Sequence, residues 1–406
     1  MKLLFDCTEL SYFLEKNGHR AGVFYVALNI FRELKKREDI EITFVCNFKR
    51  YYFMKEVIEK ISEFKGIKLL EEKSVINKFW GKLNFWVKNC PKKIVYGVLS
   101  LSRYYENLFY IKSKKNSEQI GDFEYYFSPF TPPSEEILES NYIKRFMMIH
   151  DVIPILENNN KIPKNPRVWS YRLYNTINEN DFYVTNSNNT RSDVLKFFPF
   201  IKGENIKTTY LGANEIFKPK EEKNGKEKYI FSLCTLGKRK NIIFGIRNFF
   251  KFIEKHNIQD LKLILAGGVW NKFQKELSKT IAEFDSSKIE LIGYVEEENL
   301  PKWYSGAMFF IYPSLYEGFG LPVLEAMQCA CPVITSKVSS LPEVVGEAGI
   351  QINPNDDEEM VKAYEKMYFD SSFREDCAQK GLERAKQFSW KKCTSELLEF
   401  MKGKSV

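Results

Sequence analysis

The stretch that most constrains this chain runs from Phe309 to Ser336, FFIYPSLYEGFGLPVLEAMQCACPVITS. Its first residues are apolar and rich in β-favouring side chains, the pattern of a parallel strand buried on both faces. Pro313 and the Gly318-Phe319-Gly320 loop end that strand. Leu321 to Cys329 then carry helical periodicity, with Pro322 in the first turn, where a missing N–H costs little. Pro332 to Thr335 is a second strand. This is a βαβ unit with a glycine loop at the carboxyl end of a strand, opening onto a helix N-terminus. Unpaired amides and the positive end of the helix dipole converge there, which suits a phosphate. The implied class is α/β, with parallel sheets of the doubly wound kind.

Two carboxylates frame the loop. Glu325, eight residues after Glu317, sits one turn or more into the helix. It is placed to accept hydrogen bonds from two ribose hydroxyls. Glu317 is placed to meet the hydroxyls of a sugar attached to a diphosphate. Taken alone, two acids at this spacing beside a turn would be ordinary surface residues. The intervening GFGLPVL makes the loop, the helix and the acids agree.

At this point the chain resembles the retaining glycosyltransferases of the GT-B fold, family 4. The resemblance runs through most of the C-terminal half and recurs in short N-terminal segments. It implies two doubly wound Rossmann-like domains facing across a cleft, with a last helix crossing back to the first domain. On that basis an N-terminal acceptor-binding domain is expected over 1–215, a nucleotide-sugar-binding domain over 216–387, and the returning helix over 388–406. The charged segment from 215 to 227 reads as the linker.

Other segments fit the same plan. Met1 to Phe5 is a first strand, followed by Gly18-His19-Arg20-Ala21-Gly22 and an amphipathic helix from Val23 to Leu34. The family's first loop is similar, and the resemblance puts Gly22 opposite the donor diphosphate. His19 and Arg20 read equally well as ligand contacts or as a solvated turn. Phe146 to Ile149 delivers His150-Asp151 at a strand's carboxyl end, where open α/β sheets place functional residues. A subset of the family has a similar H-D-x-x-P segment, with the histidine against the donor sugar. Asp151 reads as a backbone cap. Thr190-Arg191-Ser192-Asp193 opens a helix, with Asn189 or Thr190 as its N-cap.

Lys238-Arg239-Lys240 precedes a helix beginning at Ile242. Three cations at a helix N-terminus oppose the dipole, so an anion there is expected. In the family a lysine at the position of Lys240 binds the diphosphate. An arginine common five residues earlier is Thr235 here, which leaves Arg239 or Lys238 as the second cation. Ile289 to Val295 is a strand whose end, at Tyr294, meets the nucleobase in this fold. The resemblance therefore implies donor contacts from Gly22, Arg239, Lys240, Tyr294, Glu317, Gly318, Phe319, Gly320, Leu321 and Glu325. His150, Glu317 and Lys240 carry the catalytic expectation.

Composition sets the remaining expectations. At 406 residues and 44% hydrophobic content, two domains with real cores can form. Eight scattered cysteines without a C-x2-C pair, and no export signal, fit a reducing cytoplasm. No apolar run reaches the roughly 18 residues that span a bilayer. The net charge of +8 favours anionic partners. Residues from about 48 to 115 read as a basic, aromatic insertion without βαβ rhythm. Between Lys78 and Lys115 there are nine Lys/Arg against one acid, interleaved with aromatics. That mixture suits an anionic membrane surface, beside which a lipid-linked acceptor would be reached; a helical insertion with a solvated lysine face uses the same ingredients. No RNA-binding motif accompanies it, so nucleic acid is not expected.

No D-x-D metal motif is present, and no dedicated nucleophile is evident. The expected chemistry is metal-independent transfer of a hexose from a nucleotide sugar, of GDP-mannose type or a UDP or dTDP sugar, to a glycan or lipid-linked acceptor. Surface polysaccharide, such as lipopolysaccharide or capsule, is the expected setting. A GT-B-fold epimerase, a phosphorylase or a non-catalytic nucleotide-sugar-binding protein would use the same architecture.

Overall fold

The computed structural model describes residues 1–15, 22–71, 78, 82–83, 85–86, 120–164, 169–221, 228–235, 237–268 and 271–404. His19, Arg20 and most of the basic, aromatic segment lie outside them. The chain forms two compact units. Unit 1 comprises Met1–Thr185, Val194–Thr209 and Thr394–Val406; unit 2 comprises Asn186–Asp193 and Tyr210–Cys393.

Unit 1 is built on a parallel sheet of seven strands: β1 (Lys2–Asp6), β2 (Glu41–Val45), β3 (Lys68–Leu69), β4 (Tyr125–Ser128), β5 (Lys144–Ile149), β6 (Phe182–Thr185) and β7 (Ile206–Thr208). Their order is β3-β2-β1-β4-β5-β6-β7. The order reverses direction between β1 and β4, as in doubly wound folds. All but the first residue of β1 is buried, which explains its near-continuous apolar run. Phe5 from β1, Phe44 from β2 and Phe31 from the Gly22–Lys35 helix pack together, and Phe64 stacks on Phe31 at 5.2 Å.

One expectation is corrected here. Residues from 48 onward do not all stand apart from the βαβ rhythm. Tyr51–Lys60 is a helix, and Lys68–Leu69 pairs in parallel with Thr43–Phe44 of β2. The strand is two residues long and carries a lysine, so it leaves almost no period-2 signal to read. The last helix, Trp390–Lys402, contributes its residues from Thr394 to unit 1. There Phe400 packs edge-on against Phe146 and Phe182, and Lys402 pairs with Asp39 at 2.9 Å.

Unit 2 has a six-stranded parallel sheet: β8 (Lys228–Leu233), β9 (Leu261–Ala266), β10 (Ile289–Gly293), β11 (Phe309–Tyr312), β12 (Val333–Ser336) and β13 (Gly349–Ile352). The order is β10-β9-β8-β11-β12-β13, reversing between β8 and β11. Unit 2 begins its main run at Tyr210, upstream of the charged stretch from 215. Phe217 is buried beside Tyr304, and the Lys220 amide donates to Ser305 Oγ at 3.0 Å, so these residues are already part of the unit. At Gly267, φ is +115° and a Cβ would lie 1.9 Å from the Cys234 carbonyl oxygen. Only glycine lets β9 turn that close behind β8. Among the described residues no helix is long and apolar enough to cross a membrane.

Candidate active site

The reversal between β8 and β11 is where an open parallel sheet leaves a crevice at its carboxyl edge. The turn after β8 carries Lys238–Lys240 as a single 3-10 turn. Asn241, at φ +54°, then redirects the chain into the Ile242–Lys255 helix. The loop after β11 carries Glu317, and the two loops meet through it. Glu317 is 7% exposed. Its Oε1 lies 2.6 Å from Lys240 Nζ and 2.9 Å from Arg239 Nη1. Burial pushes the Glu317 carboxyl up, but Lys240 and Arg239 outweigh it and hold it below the usual carboxylate range.

The cations that oppose the helix dipole already have an anion within the chain, and it is Glu317. Arg239 is the second cation on Glu317, whereas Lys238 is 82% exposed and lies 3.8 Å from Glu276. Lys240 also donates to the Tyr312 hydroxyl at 2.5 Å, and Arg239 to the Tyr316 carbonyl at 2.6 Å.

The glycine loop is held from several sides. The Glu317 amide donates to Ser339 Oγ, and Ser340 Oγ donates to the carbonyls of Glu317 and Phe319. Ser187 Oγ and Thr190 Oγ1 donate to the Gly318 carbonyl at 2.7 and 3.2 Å. Gly320, at φ +110°, precedes the Leu321–Gln328 helix. With every carbonyl from 317 to 320 engaged, the amides of Gly318, Phe319, Gly320 and Leu321 have no acceptor among the described residues. Four consecutive donors at a helix N-terminus form an anion-binding concavity.

The Phe319 side chain is not part of that surface. It is buried, with ring neighbours Tyr210 at 6.3 Å and Phe388 at 5.9 Å. What Phe319 can offer a ligand is its amide alone. Glu325 lies on the Leu321–Gln328 helix, with Oε2 accepting from the Tyr304 hydroxyl at 3.0 Å. Burial pushes the Glu325 carboxyl up to about 8, against the pull of that hydrogen bond and with a small push from Glu297. Tyr294 follows β10 directly and is 61% exposed.

Gly22 and His150 belong to unit 1. Gly22 is the first residue of its helix and is exposed. His150 follows β5, with Nε2 2.7 Å from the Pro129 carbonyl oxygen. Burial pushes the imidazole down to about 4, the Pro129 contact opposing, so near neutral pH the ring is uncharged and Nε2–H donates. Asp151 Oδ1 accepts from the Ile153 amide, a local cap.

Several supporting residues were not legible beforehand. The N-cap of the Asn188–Phe197 helix is Ser187, whose Oγ accepts from the Thr190 amide at 3.0 Å, rather than Asn189 or Thr190. Glu343 completes the cap by accepting from the Asn188 and Asn189 amides, each at 2.8 Å. Tyr304 and Tyr312, which hold the two site carboxylate clusters, are spaced like core aromatics. The available signal for Ser187 was a serine directly before the helix.

Two doubly wound parallel sheets with this loop are the fold of GT-B glycosyltransferases. Sucrose-phosphate synthase from Thermosynechococcus elongatus superposes with a TM-score of 0.69 over 99% of this chain and 98% of its own, at 16% identity. Anabaena HepE in complex with UDP and glucose gives 0.68 over 99% and 100%, at 15% identity. Residues 213–384, most of unit 2, match the glycosyl transferases group 1 family. The O-antigen chain mannosyltransferase B of Escherichia coli is 33% identical over 248 residues, 58% of this chain and 64% of that one. The chain thus spans less than two thirds of the length of that curated relative.

Proposed function

We propose that the protein is a retaining glycosyltransferase that moves a hexose from a nucleotide sugar, of GDP-mannose type, to a glycan or lipid-linked acceptor of a surface polysaccharide. The observation that carries this is the row of free amides from Gly318 to Leu321 beside Lys240 and Arg239. Donors and cations aimed at one spot stabilise the charge that develops on a departing nucleoside diphosphate. The mannosyl donor and polysaccharide setting draw on the similarity to a mannosyltransferase of the O-antigen chain.

In this reading Lys240 and Arg239 exchange part of their contact with Glu317 for diphosphate oxygens. Glu317 is thereby released toward the sugar hydroxyls, and Glu325 takes the ribose. Tyr294 is assigned to the base. The neutral His150 imidazole is assigned to a sugar hydroxyl. The acceptor attacks from the face that the diphosphate leaves, and the leaving charge is met by protein cations without a metal. The protein is assigned to the cytoplasmic face of a membrane, where anionic lipid would hold its basic segment and present the acceptor.

The test is transfer from radiolabelled GDP-mannose, with UDP and dTDP sugars alongside, to a lipid-linked oligosaccharide in the presence of EDTA. Turnover that persists in EDTA and vanishes in Lys240→Ala supports the reading. Rearrangement of the donor without acceptor would indicate an epimerase instead.

A further inference from the structure

Tyr304 lies on the short Leu300–Gly306 helix and is fully buried. Its ring is fixed by Phe217, Phe231 and Phe310, with centroids at 6.1, 5.4 and 5.3 Å. A ring so enclosed has no second rotamer available. Its hydroxyl is therefore held at one point, and among the described residues it donates to Glu325 Oε2 at 3.0 Å. Glu325 sits on a different helix, with three side-chain torsions of its own. Without a partner, a half-buried carboxyl on such a chain samples several orientations and costs free energy to align.

We infer that Tyr304 is the positioning residue for ribose recognition. By tying Oε2 of Glu325 to a rigid ring, it leaves Oε1 turned outward as the acceptor for the hydroxyls of a bound nucleoside diphosphate. The inference rests on the proposed function, because it takes the ligand to be a ribonucleotide. It adds a residue that touches no substrate and acts through another side chain.

The hydroxyl also sets the proton affinity of the carboxyl. A hydrogen bond to the charged form favours that form. Removing it drives Glu325 further above its present value of about 8. Tyr304 thus keeps the carboxylate accessible just above neutral pH, where ribose binding uses it.

The experiment is calorimetric binding of GDP and UDP, each beside its 2′,3′-dideoxy form, to wild-type protein, Tyr304→Phe, Glu325→Gln and the double variant. The wild type should prefer the ribonucleotide. Tyr304→Phe keeps the ring and should bind the ribonucleotide about tenfold more weakly, with dideoxy binding unchanged. The pH at which affinity is half-maximal should move upward in this variant. Adding Tyr304→Phe to Glu325→Gln should change nothing further. Equal weakening of ribo and dideoxy ligands, or additive effects in the double variant, would overturn the inference and leave the proposed function standing. A wild-type protein that binds neither nucleotide would overturn both.

Discussion

Glu317 and Lys240 form a closed ion pair, 2.6 Å apart with side chains 9% and 12% exposed. Each comes from the loop after a different strand, β11 and β8, so the pair stitches the two lips of the crevice together. Without Glu317, Lys240 and Arg239 would be two neighbouring, uncompensated cations. Glu317 supplies the missing charge and keeps Lys240 and Arg239 aimed inward.

Breaking that pair from one side should be costly. Lys240→Met leaves a buried carboxylate facing Arg239 alone and should destabilise by roughly 3 kcal/mol in urea unfolding. Lys240→Met with Glu317→Gln should recover much of that loss, because no buried charge is stranded. The double variant should remain inactive. Additive stability losses would show that the pair does not couple.

The pair also has a pH signature. Glu317 titrates below its unfolded value, so its contribution is present above the usual carboxylate range and is lost as pH falls through the lower folded value. Glu317→Gln should flatten the acid side of the stability profile. An unchanged acid limb would place the dominant carboxylates elsewhere.

Glu325 titrates in the opposite sense. Its carboxyl is raised to about 8, so the group is largely protonated at pH 7. Under the proposed ribose contact, hydroxyl donors favour the carboxylate, so binding should release a proton below pH 8. Nucleoside diphosphate affinity should rise as pH is raised from 6 to 8 and then level off. Calorimetry in buffers of different ionisation enthalpy should detect the released proton in the wild type and not in Glu325→Gln.

Ser187 links helix capping to the loop. Its Oγ accepts from the Thr190 amide and donates to the Gly318 carbonyl. Ser187→Ala should cost about 1 kcal/mol as a lost cap. It should also weaken diphosphate binding several-fold, because Thr190 Oγ1, at 3.2 Å, is left as the side-chain donor to that carbonyl. Stability loss with intact binding would separate the two roles.

What was legible in the sequence was the part written in local chemistry. β11, the glycine loop, the following helix and β12 are read from apolar runs and Gly/Pro punctuation within 28 residues, Phe309 to Ser336. The acids and the basic turn follow from the same stretch and its partner near Lys240. The ion pair itself was hidden, because its members lie 77 positions apart and meet only through sheet order. Tyr304 was hidden for another reason: a buried tyrosine whose hydroxyl serves a carboxylate has the same periodicity as one that only fills space. β3 and β13 were missed as short edge strands with little alternation to read.

Gly320 offers a test of the loop's backbone. Its φ is +110°, and a Cβ there would meet Leu341 Cδ2 at 2.7 Å. Gly66, in unit 1, also has positive φ, +86°, with nothing within 4 Å of an added Cβ. Alanine at either site carries the backbone penalty of about 1–3 kcal/mol. Only Gly320 lies within the amide row, where relief of the positive φ turns the amides between Gly318 and Leu321. Gly66→Ala should therefore lower stability and leave nucleoside diphosphate affinity unchanged. Gly320→Ala should lower stability by a similar amount, because the end of the Leu341 side chain can give way, and reduce affinity tenfold or more. If both variants bind equally well, the amide row is not what grips the diphosphate.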